Sequence, residues 1–470
     1  MKKKLSTVLL ALAAFMPMTA QNLVKGDYGY LYCHMSDKGE WTAYAISRDG
    51  YNYQDINDGN PIFNPEEHAR IEGGTRDAYI TRMYNGKGYI MVTTDMCVRK
   101  SHKWDNYGID LLKSKDLKNW TSVTFDFRKG MQNFCDAATA TSPYKDWSTI
   151  NRVWAPQIFW DPDYCWENGE KGGYMIYYSM LNRAEEKYDR MYYSYADKTF
   201  TKLTTPKLLF DWGYATIDAD INFLKSDGLY HMLIKKEGGK RGIFTATSKY
   251  LNHGWSAPVD DDFVSFEGSK LTEGSSAFQL IGDDTWRVAY IQYSDHPKHY
   301  RICKADKYLR NFSDPVDIKG VTAPQHGSFM RITKKEYKML LKWNQELKNI
   351  LDSFGVYSLI KSLKLDYDSL IKRQDYEDKI THHGLDVLSQ NPEVKNHILS
   401  MVFPLDANGL MQSHELFIAN GVKAYEKLLI VLEEEKEINK IFKISSNILT
   451  NKQEGWEKYR EDTRFIIFCS

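Results

Sequence analysis

Short apolar and aromatic runs, separated by polar turns, follow one another along the first 335 residues. Four of these runs are Gly88–Thr93, Gly173–Ser179, Leu229–Ile234 and Trp286–Tyr293, and Gly, Asp and Asn turns separate them. No long amphipathic helical pattern interrupts the sequence before about residue 334, whereas parallel α/β folds need crossover helices. The pattern therefore predicts an all-β region.

A weak repeat accompanies these runs: a strand-like segment, a small or polar residue, and a turn that often carries Asp and a following aromatic residue. The five copies are AISRDGYNY from Ala45, LLKSKDLKNW from Leu111, YYSYADKTF from Tyr192, FTATSKYLNHGW from Phe244 and RICKADKYLRNF from Arg301. Their starts lie between 52 and 81 residues apart, close to the ~40 to 50 residues of a propeller blade plus loop insertions. We predict a five-bladed β-propeller over residues 21–335.

The pattern changes after Arg331 to one of helical spacing. Leu340, Leu347 and Ile350 recur on one helix face, and a charged amphipathic pattern continues in Ala424–Ile441. We predict a separate helical region over residues 336–470 and assign it no chemistry. A charged helix face is usually solvated, and a partner surface is the alternative.

The N-terminus has the pattern of a secretory signal peptide over residues 1–20. Lys2, Lys3 and Lys4 precede the apolar run Val8–Phe15, and small residues follow up to Ala20. No later stretch reaches the ~20 apolar residues that a membrane span requires. We expect a secreted or periplasmic protein without a membrane span.

Charge and cysteine content narrow the possible partners. The 62 basic and 62 acidic side chains balance, so no overall field would attract nucleic acid or an anionic membrane, and a neutral polymer is the more natural partner. The six cysteines are scattered without CxxC or Cys/His metal spacing, which argues against zinc. Isolated buried thiols are favoured over a disulfide framework.

Three short acidic segments in the β region suggest catalysis. Each places one carboxylate beside small or apolar residues before a predicted strand, an environment in which a pKa can be tuned for proton transfer. Glycoside hydrolysis commonly uses a pair of such acids. The candidates are Asp77 in RDAYITR (Arg76–Arg82), Asp218 in TIDADI (Thr216–Ile221) and Glu273 in TEGSSAFQL (Thr272–Leu280).

Two of these candidates have competitors nearby. Asp220 alternates with Asp218 along the predicted strand, so both carboxylates are expected on one face. Glu267 precedes a glycine as Glu273 does, but a strand follows Glu273 directly. We therefore prefer Asp218 and Glu273.

The set of segments resembles glycoside hydrolase family 43, five-bladed propeller enzymes that act mainly on arabinose- and xylose-containing glycans. The resemblance runs from about Tyr28 to Leu340. It includes two further segments: VWAPQIFWD (Val153–Asp161), which is similar to a Trp-Ala-Pro strand, and QHGSFMRIT (Gln325–Thr333), which is similar to a closing-blade strand with a histidine near the axis.

The sequence departs from the family pattern at three positions. Ala78 and Ser275 stand where prolines are common, and Gln325 replaces a common arginine. Since none of these departures removes a carboxylate, they bear on substrate preference rather than on the presence of catalytic acids.

The resemblance implies a role for each acid: Asp77 is the base that activates water, Glu273 is the general acid, and Asp218 orients and modulates. It also implies inversion without a covalent intermediate, for which the carboxyl groups of Asp77 and Glu273 should lie about 6.5 to 9.5 Å apart. We further expect the charge of Asp218 to raise the pKa of Glu273 and keep it protonated near neutral pH.

Arg76, Trp154 and His326 are candidate substrate-binding residues, each with a structural alternative. Arg76 binds substrate or holds Asp77 ionised, Trp154 is a pocket wall or a core residue, and His326 is a pocket residue or a packed histidine. No cofactor is required, although the resemblance allows a calcium ion near His326 as in some relatives.

The expected function is that of an exported hydrolase acting on O-glycosidic bonds of arabinose- or xylose-containing, plant-type glycans. The sequence leaves open whether the sugar is arabinofuranose, xylopyranose or galactofuranose, and whether attack is at chain ends. A non-catalytic propeller that binds glycans is the alternative, because a fold does not dictate function. A third possibility makes the helical tail the active part, carried on an inert scaffold.

Overall fold

The structure is a computed structural model that describes residues 26–237, 242–259, 271–295 and 298–353. Within these ranges the strands are β1 (Asp27–Ser36), β2 (Trp41–Ser47), β3 (Tyr53–Ile56), β4 (Thr75–Arg82), β5 (Tyr89–Asp95), β6 (Gly108–Ser114), β7 (Trp120–Asp126), β8 (Ile150–Cys165), β9 (Lys171–Asn182), β10 (Arg190–Ala196), β11 (Lys207–Phe210), β12 (Thr216–Leu224), β13 (Leu229–Lys236), β14 (Gly242–Ser248), β15 (Thr272–Gln279), β16 (Trp286–Gln292), β17 (His299–Ala305), β18 (Val316–Asp317) and β19 (Pro324–Thr333). The α-helices in the same ranges are α1 (Pro65–His68), α2 (Val98–Ser101) and α3 (Lys334–Ser353). The predicted signal peptide lies outside the described residues.

The strands form five antiparallel sheets arranged as the blades of a propeller. Their strand orders are β19-β1-β2-β3 for blade I, β4-β5-β6-β7 for blade II, β8-β9-β10-β11 for blade III, β12-β13-β14 for blade IV and β15-β16-β17-β18 for blade V. The innermost strands β19, β4, β8, β12 and β15 contact one another in turn around the axis. The last strand, β19, completes the first blade by pairing with β1, so the ring is closed between its two ends. The predicted all-β five-bladed propeller is confirmed.

The five sequence repeats coincide with the third strands of the blades, β2, β6, β10, β14 and β17, and the turns that follow. In blades I, II and V, the carboxylates of Asp49, Asp116 and Asp306 accept backbone N–H groups of the residues that follow them. An Asp that bonds its own downstream backbone forms a tight turn locally. The sequence repeat therefore encodes the turn that leads from the third strand to the outer edge of the blade.

Aromatic side chains fill much of the space between blades. Tyr32 of β1 stacks on Phe329 of β19 with ring centroids 4.5 Å apart, and Phe278 of β15 stacks on Phe329 at 4.4 Å. Each of these rings is at least nine-tenths buried. These three rings belong to one cluster of the hydrophobic core.

The first part of the predicted helical region packs onto the propeller. Leu340, Trp343 and Leu347 of α3 are buried in one cluster with side chains of blades I and II. Glu336 forms two hydrogen bonds, each of 2.6 Å, with Arg82 of β4. Up to Leu347, α3 is therefore part of the propeller's packing rather than a separate unit. Residues 354–470 lie outside the described part of the chain.

In the described ranges, no helix combines the length and apolar character needed to cross a bilayer. Five of the six cysteines fall in these ranges, and all five are free thiols: Cys33, Cys97, Cys135, Cys165 and Cys303. The prediction of isolated buried thiols is confirmed for Cys33, Cys97 and Cys303, whereas Cys135 and Cys165 are free but exposed. Cys469 lies outside the described residues.

Candidate active site

The five innermost strands share one irregularity at the end where the acidic segments lie. The pairing of β4, β8, β12, β15 and β19 with their neighbours shifts register there, as at a β-bulge, and four of these bulges contain a residue with positive φ. The residues with positive φ at these bulges are Asp77 (52°), Ala155 (48°), Asp218 (56°) and Gly274 (63°). Positive φ is uncommon for a non-glycine residue inside a strand and is concentrated at functional sites. The bulges re-aim side chains at the axis.

Three carboxylates from three blades converge on the imidazole of His326. Asp77 Oδ1 lies 3.2 Å from Nδ1, while Glu273 Oε1 and Asp218 Oδ2 lie 3.3 and 3.7 Å from Nε2. The structure thus brings together all three predicted acids and the predicted histidine. His326 is a pocket residue and not a histidine satisfied by packing alone.

His326 approaches the backbone so closely that its neighbour must be glycine. A Cβ atom on Gly274 would lie 2.4 Å from Cδ2 of His326, well inside van der Waals contact, and the φ of 63° at Gly274 is itself unfavourable for other residues. The Glu-Gly pair therefore delivers the carboxylate and makes room for the imidazole.

Asp220 does not enter this site, although strand alternation placed it on the same face as Asp218. Its Oδ2 accepts hydrogen bonds from the backbone N–H of Ala277 and from Nδ2 of Asn222, each at 2.8 Å. Burial raises the pKa of Asp220 to about 7. The bulge between Ile217 and Asp220 breaks the simple alternation, so Asp220 links blades IV and V while Asp218 faces His326.

Glu273 is clamped by a buried lysine that the sequence analysis did not single out. Lys235 Nζ lies 2.5 Å from Glu273 Oε2 and 2.9 Å from Oε1 of Glu237, and it donates to the hydroxyl of Tyr293 at 3.2 Å. The side chain of Lys235 is 2% exposed. A lysine this deeply buried is rare unless it is paired.

This clamp overturns the expectation that Glu273 is held protonated near neutral pH. Burial opposes ionisation, but Lys235 and His326 outweigh it and hold the pKa of Glu273 well below its usual range. The same contacts raise the pKa of Lys235 against the effect of burial. The negative charge of Asp218 does not raise the pKa of Glu273 above its usual range. The ammonium group of Lys235 is in direct contact with Glu273 and therefore has the stronger effect.

The surroundings of His326 and Asp218 raise the pKa of both groups. Burial disfavours an imidazolium, but Asp218, Asp77 and Glu273 together raise the pKa of His326 to about 9. Burial raises the pKa of Asp218 to about 6, with Glu273 adding to the shift and His326 opposing it. Near neutral pH the site therefore holds an imidazolium among carboxylates.

Arg76 forms its ion pair with Glu40 and not with Asp77, the contact on which one of its two expected roles depended. Its guanidinium pairs with Glu40 at 2.5 Å, whereas the cation in contact with Asp77 is His326. Arg76 also lies over the indole of Trp104, with Cζ 5.3 Å from the ring centroid.

Trp154 lies on the same side of the site as Arg76 and Trp104. Trp154 precedes the bulged Ala155 of β8, and its ring packs edge-to-face on Trp104 with centroids 6.5 Å apart. Cζ of Arg152 lies 4.4 Å from the centroid of the Trp154 ring. Trp154 is half-buried in the first third of β8, so it lies at the edge of the core and not within it.

The donor set around His326 does not fit the calcium ion that the resemblance allows. Asp218, Glu273 and His326 bring one potential ligand atom each to within 4.8 Å of one another. Calcium takes about six to eight oxygen ligands, whereas this set offers two carboxylates and a ring nitrogen. The ammonium group of Lys235 is already in contact with Glu273. We assign no catalytic step to a metal.

Sequence reasoning missed Lys235 and Trp104 for different reasons. Lys235 interrupts the apolar run of β13, which is the signal of an inward-facing lysine, but Lys236 follows it and hides which one faces inward. Trp104 is a lone indole in the polar segment HKWDN, and only the position of that loop makes it notable.

A five-bladed propeller with three carboxylates near its axis is the arrangement that the resemblance to glycoside hydrolase family 43 implies. A family model described as a probable glycosyl hydrolase domain, related to family 43, matches residues 26–338, about two thirds of the 470-residue chain. The chain therefore belongs to this family of probable glycosyl hydrolase domains.

Among curated proteins, an alpha-L-arabinofuranosidase of Bifidobacterium longum subsp. longum is 24% identical over 239 residues. The match covers 46% of this chain and 20% of that protein, so the chain spans about a fifth of the curated relative's length.

Solved structures with a similar fold include an endo-arabinase and an endo-1,4-beta-xylanase, both from Bacteroides thetaiotaomicron. The endo-arabinase is 14% identical with a TM-score of 0.39, and the match covers 57% of this chain and 97% of that one. The xylanase is 11% identical with a TM-score of 0.42, and the match covers 67% and 99%. These similarities are weak and carry no functional inference.

Proposed function

We propose that the protein is an exported glycoside hydrolase that cleaves O-glycosidic bonds in arabinose- or xylose-containing glycans with inversion at the anomeric carbon. Asp77 takes a proton from water as the water attacks the anomeric carbon. Glu273 gives a proton to the departing glycosidic oxygen. Asp218 orients the imidazole of His326 and helps to keep it protonated.

One observation carries this proposal: Asp77 and Glu273 contact opposite nitrogen atoms of a single imidazole ring. The separation of the two contacting oxygens is therefore at most the distance between the two ring nitrogens plus the two contacts of 3.2 and 3.3 Å. Inverting glycosidases keep their carboxyl groups further apart than retaining ones, to leave room for the attacking water. An arrangement with one acid on each side of a central group supports inversion.

The ion pair with Lys235 affects when Glu273 can act as an acid. In the resting site Glu273 is ionised near neutral pH, because its pKa is held low. Lys235 has a second anionic partner, Glu237, at 2.9 Å. We propose that the Glu273 carboxylate leaves Lys235, takes up a proton from solvent and then donates it to the glycosidic oxygen, while Glu237 and Tyr293 retain the ammonium group of Lys235. This step makes catalysis most efficient under acidic conditions.

The substrate class rests on the family and on the names of its relatives. The curated relative is an arabinofuranosidase, and family 43 enzymes act mainly on arabinose- and xylose-containing glycans. The zero net charge of the chain supports a neutral glycan over an acidic polymer.

The function is tested by proton NMR of the full-length mature protein acting on 4-nitrophenyl α-L-arabinofuranoside, with the first-released anomer recorded. The expected result is the inverted anomer, with turnover abolished in Asp77→Asn. Nitrophenol needs little protonation on leaving, so the base is tested more directly than the acid. If neither this substrate, a β-xyloside nor arabinose- and xylose-containing oligosaccharides is turned over, the enzyme proposal fails. The glycan-binding propeller then takes its place.

Release of the retained anomer would overturn inversion alone. Asp218 and Glu273 would then be the operative pair, since their potential ligand atoms lie within 4.8 Å of each other, close to the separation of about 5 Å in retaining enzymes.

Export is proposed from the basic and apolar pattern of residues 1–20. N-terminal sequencing of protein recovered from the periplasm or medium of a bacterial host tests it, with cleavage expected after Ala20. An intact N-terminus in the cytoplasmic fraction would contradict export.

A further inference from the structure

Trp104 is the most exposed large apolar side chain among the described residues. Its relative exposure is 59%, compared with 55% for Tyr250 and 51% for Val316. A single exposed apolar side chain needs no special explanation. Trp104 differs because of what holds it and where it lies.

The indole of Trp104 is held in place by a row of packed side chains. Arg76 lies over its ring and Trp154 packs edge-to-face against it. Arg76 is anchored in turn by Glu40 at 2.5 Å, and Arg152, which lies over Trp154, is anchored by Asp189 at 2.8 Å. An exposed ring that is held rigidly loses little conformational entropy when a ligand stacks on it.

This row borders the catalytic acids. Arg76 directly precedes Asp77 on β4, and Trp154 directly precedes the bulged Ala155 on β8. Trp104 lies in the connection from β5 to β6, and β5 ends beside the start of β4, where Asp95 pairs with Thr75. The exposed indole is therefore on the same end of the propeller as the acids.

Polar groups suited to sugar hydroxyls lie next to the indole. Asp105 follows Trp104, and its Oδ1 accepts from Nη2 of Arg183 at 3.2 Å and from Nδ2 of Asn151 at 3.4 Å. The guanidinium of Arg183 is 61% exposed. An apolar surface beside a few oriented polar groups is the composition of a small-molecule site.

We propose that Trp104, with Asp105 and Arg183 at its edge, forms a subsite for a second sugar unit of the glycan, next to the sugar whose bond is cleaved. The indole stacks on the apolar face of that sugar, and Asp105 and Arg183 bind its hydroxyl groups. The subsite favours oligosaccharides over monosaccharides. This inference rests on the proposed function, because it takes the acids around His326 to mark the point of cleavage.

The test separates binding of a second sugar from binding of the first. Arabinotriose and xylotriose are titrated calorimetrically into the full-length Asp77→Asn protein, with arabinose and xylose as the single-sugar ligands. Trp104→Ala in that background should weaken trisaccharide binding by about tenfold, a stacking contribution of about 1.4 kcal/mol. Monosaccharide binding should not change. Trp104→Phe should restore part of the loss, because phenylalanine retains an aromatic face.

Tyr250→Ala is the matched control. Tyr250 is nearly as exposed and follows β14, whose end Ser248 pairs with Tyr230 at the end of the blade away from Lys235. This variant should bind both sugars like the parent protein.

The outcomes distinguish this proposal from the proposed function. If the Asp77-containing protein hydrolyses a trisaccharide and Trp104→Ala changes neither its KM nor the calorimetric affinity, the subsite is overturned and the hydrolase stands. If Trp104→Ala alters sedimentation instead of sugar affinity, the indole is a protein contact and the subsite is overturned. If no sugar binds or is cleaved, both proposals fail.

Discussion

The turns after the third strands and the bulges of the innermost strands both recur from blade to blade, but they differ in which residues recur. In blades I, II, III and V, an Asp after the third strand accepts backbone N–H groups of the turn that follows it, and the turns of blades I and II have the same hydrogen bonds. Four of the bulges in the innermost strands contain a residue at positive φ, which is Asp, Ala, Asp or Gly. The outer turns therefore use the same residue type for the same structural role. The inner bulges share a backbone shape but place different side chains at the axis. Changes in the two regions should therefore separate stability from activity.

The largest effect is expected from Asp77→Asn. Loss of the base should lower kcat by about 10²- to 10⁴-fold or more, because general base catalysis contributes that much. Steady-state hydrolysis of a nitrophenyl glycoside measures it. Asp116→Asn, at the turn after β6, is the matched control and should leave kcat within about twofold. Equal losses in both variants would remove the distinction between the two regions.

Gly274→Ala should destabilise the protein and lower activity together. The new Cβ would lie 2.4 Å from His326 and would take a φ of 63°, so we expect a loss of about 2 to 4 kcal/mol in the free energy of unfolding. Gly169→Ala is the control, since its φ is 82° and no atom lies within 4 Å of the added Cβ. Urea denaturation of both variants isolates the steric part. Similar values for the two would mean that His326 moves aside freely.

Lys235→Met should move the basic limb of the pH profile to higher pH. The general acid must be protonated, so kcat/KM falls as pH rises through the pKa of Glu273. Removing the ammonium group that depresses this pKa should raise it by about one unit or more. The pH dependence of kcat/KM measures the shift, and Lys236→Met is the neighbouring control. An unmoved basic limb would show that Glu273 is not the group whose protonation limits the rate.

The smallest effect is expected at the outer turns. Asp116→Ala removes the hydrogen bonds to the backbone N–H groups of Lys118 and Asn119 and should lower the free energy of unfolding by about 1 kcal/mol. These hydrogen bonds also lower the pKa of Asp116 in spite of partial burial. Its stabilising contribution is therefore present above the unfolded-state pKa and is lost as pH falls through the folded-state value. Thermal unfolding at pH 7 and pH 3 checks this, and a variant difference that grows at pH 3 would contradict it.

The predicted elements show where sequence reasoning is strong. Gly88–Thr93, Gly173–Ser179, Leu229–Ile234 and Trp286–Tyr293 correspond to second strands, β5, β9, β13 and β16. The predicted repeats correspond to third strands and their turns. Both signals are local, since alternation and turn formation depend on neighbouring residues. The packing of Leu340 and Trp343 of α3 against distant strands leaves no such local mark in the sequence.

The sequence by itself determined the blades, the order of the five axial segments and the identity of the acids that meet at the axis. The tertiary structure decided which of Asp218 and Asp220 faces His326, what charge Glu273 carries and that Trp104 stands beside the site. The reason is physical. A bulge changes which face a side chain takes, and a pKa depends on charges such as that of Lys235, 38 residues away along the chain and 2.5 Å away in space.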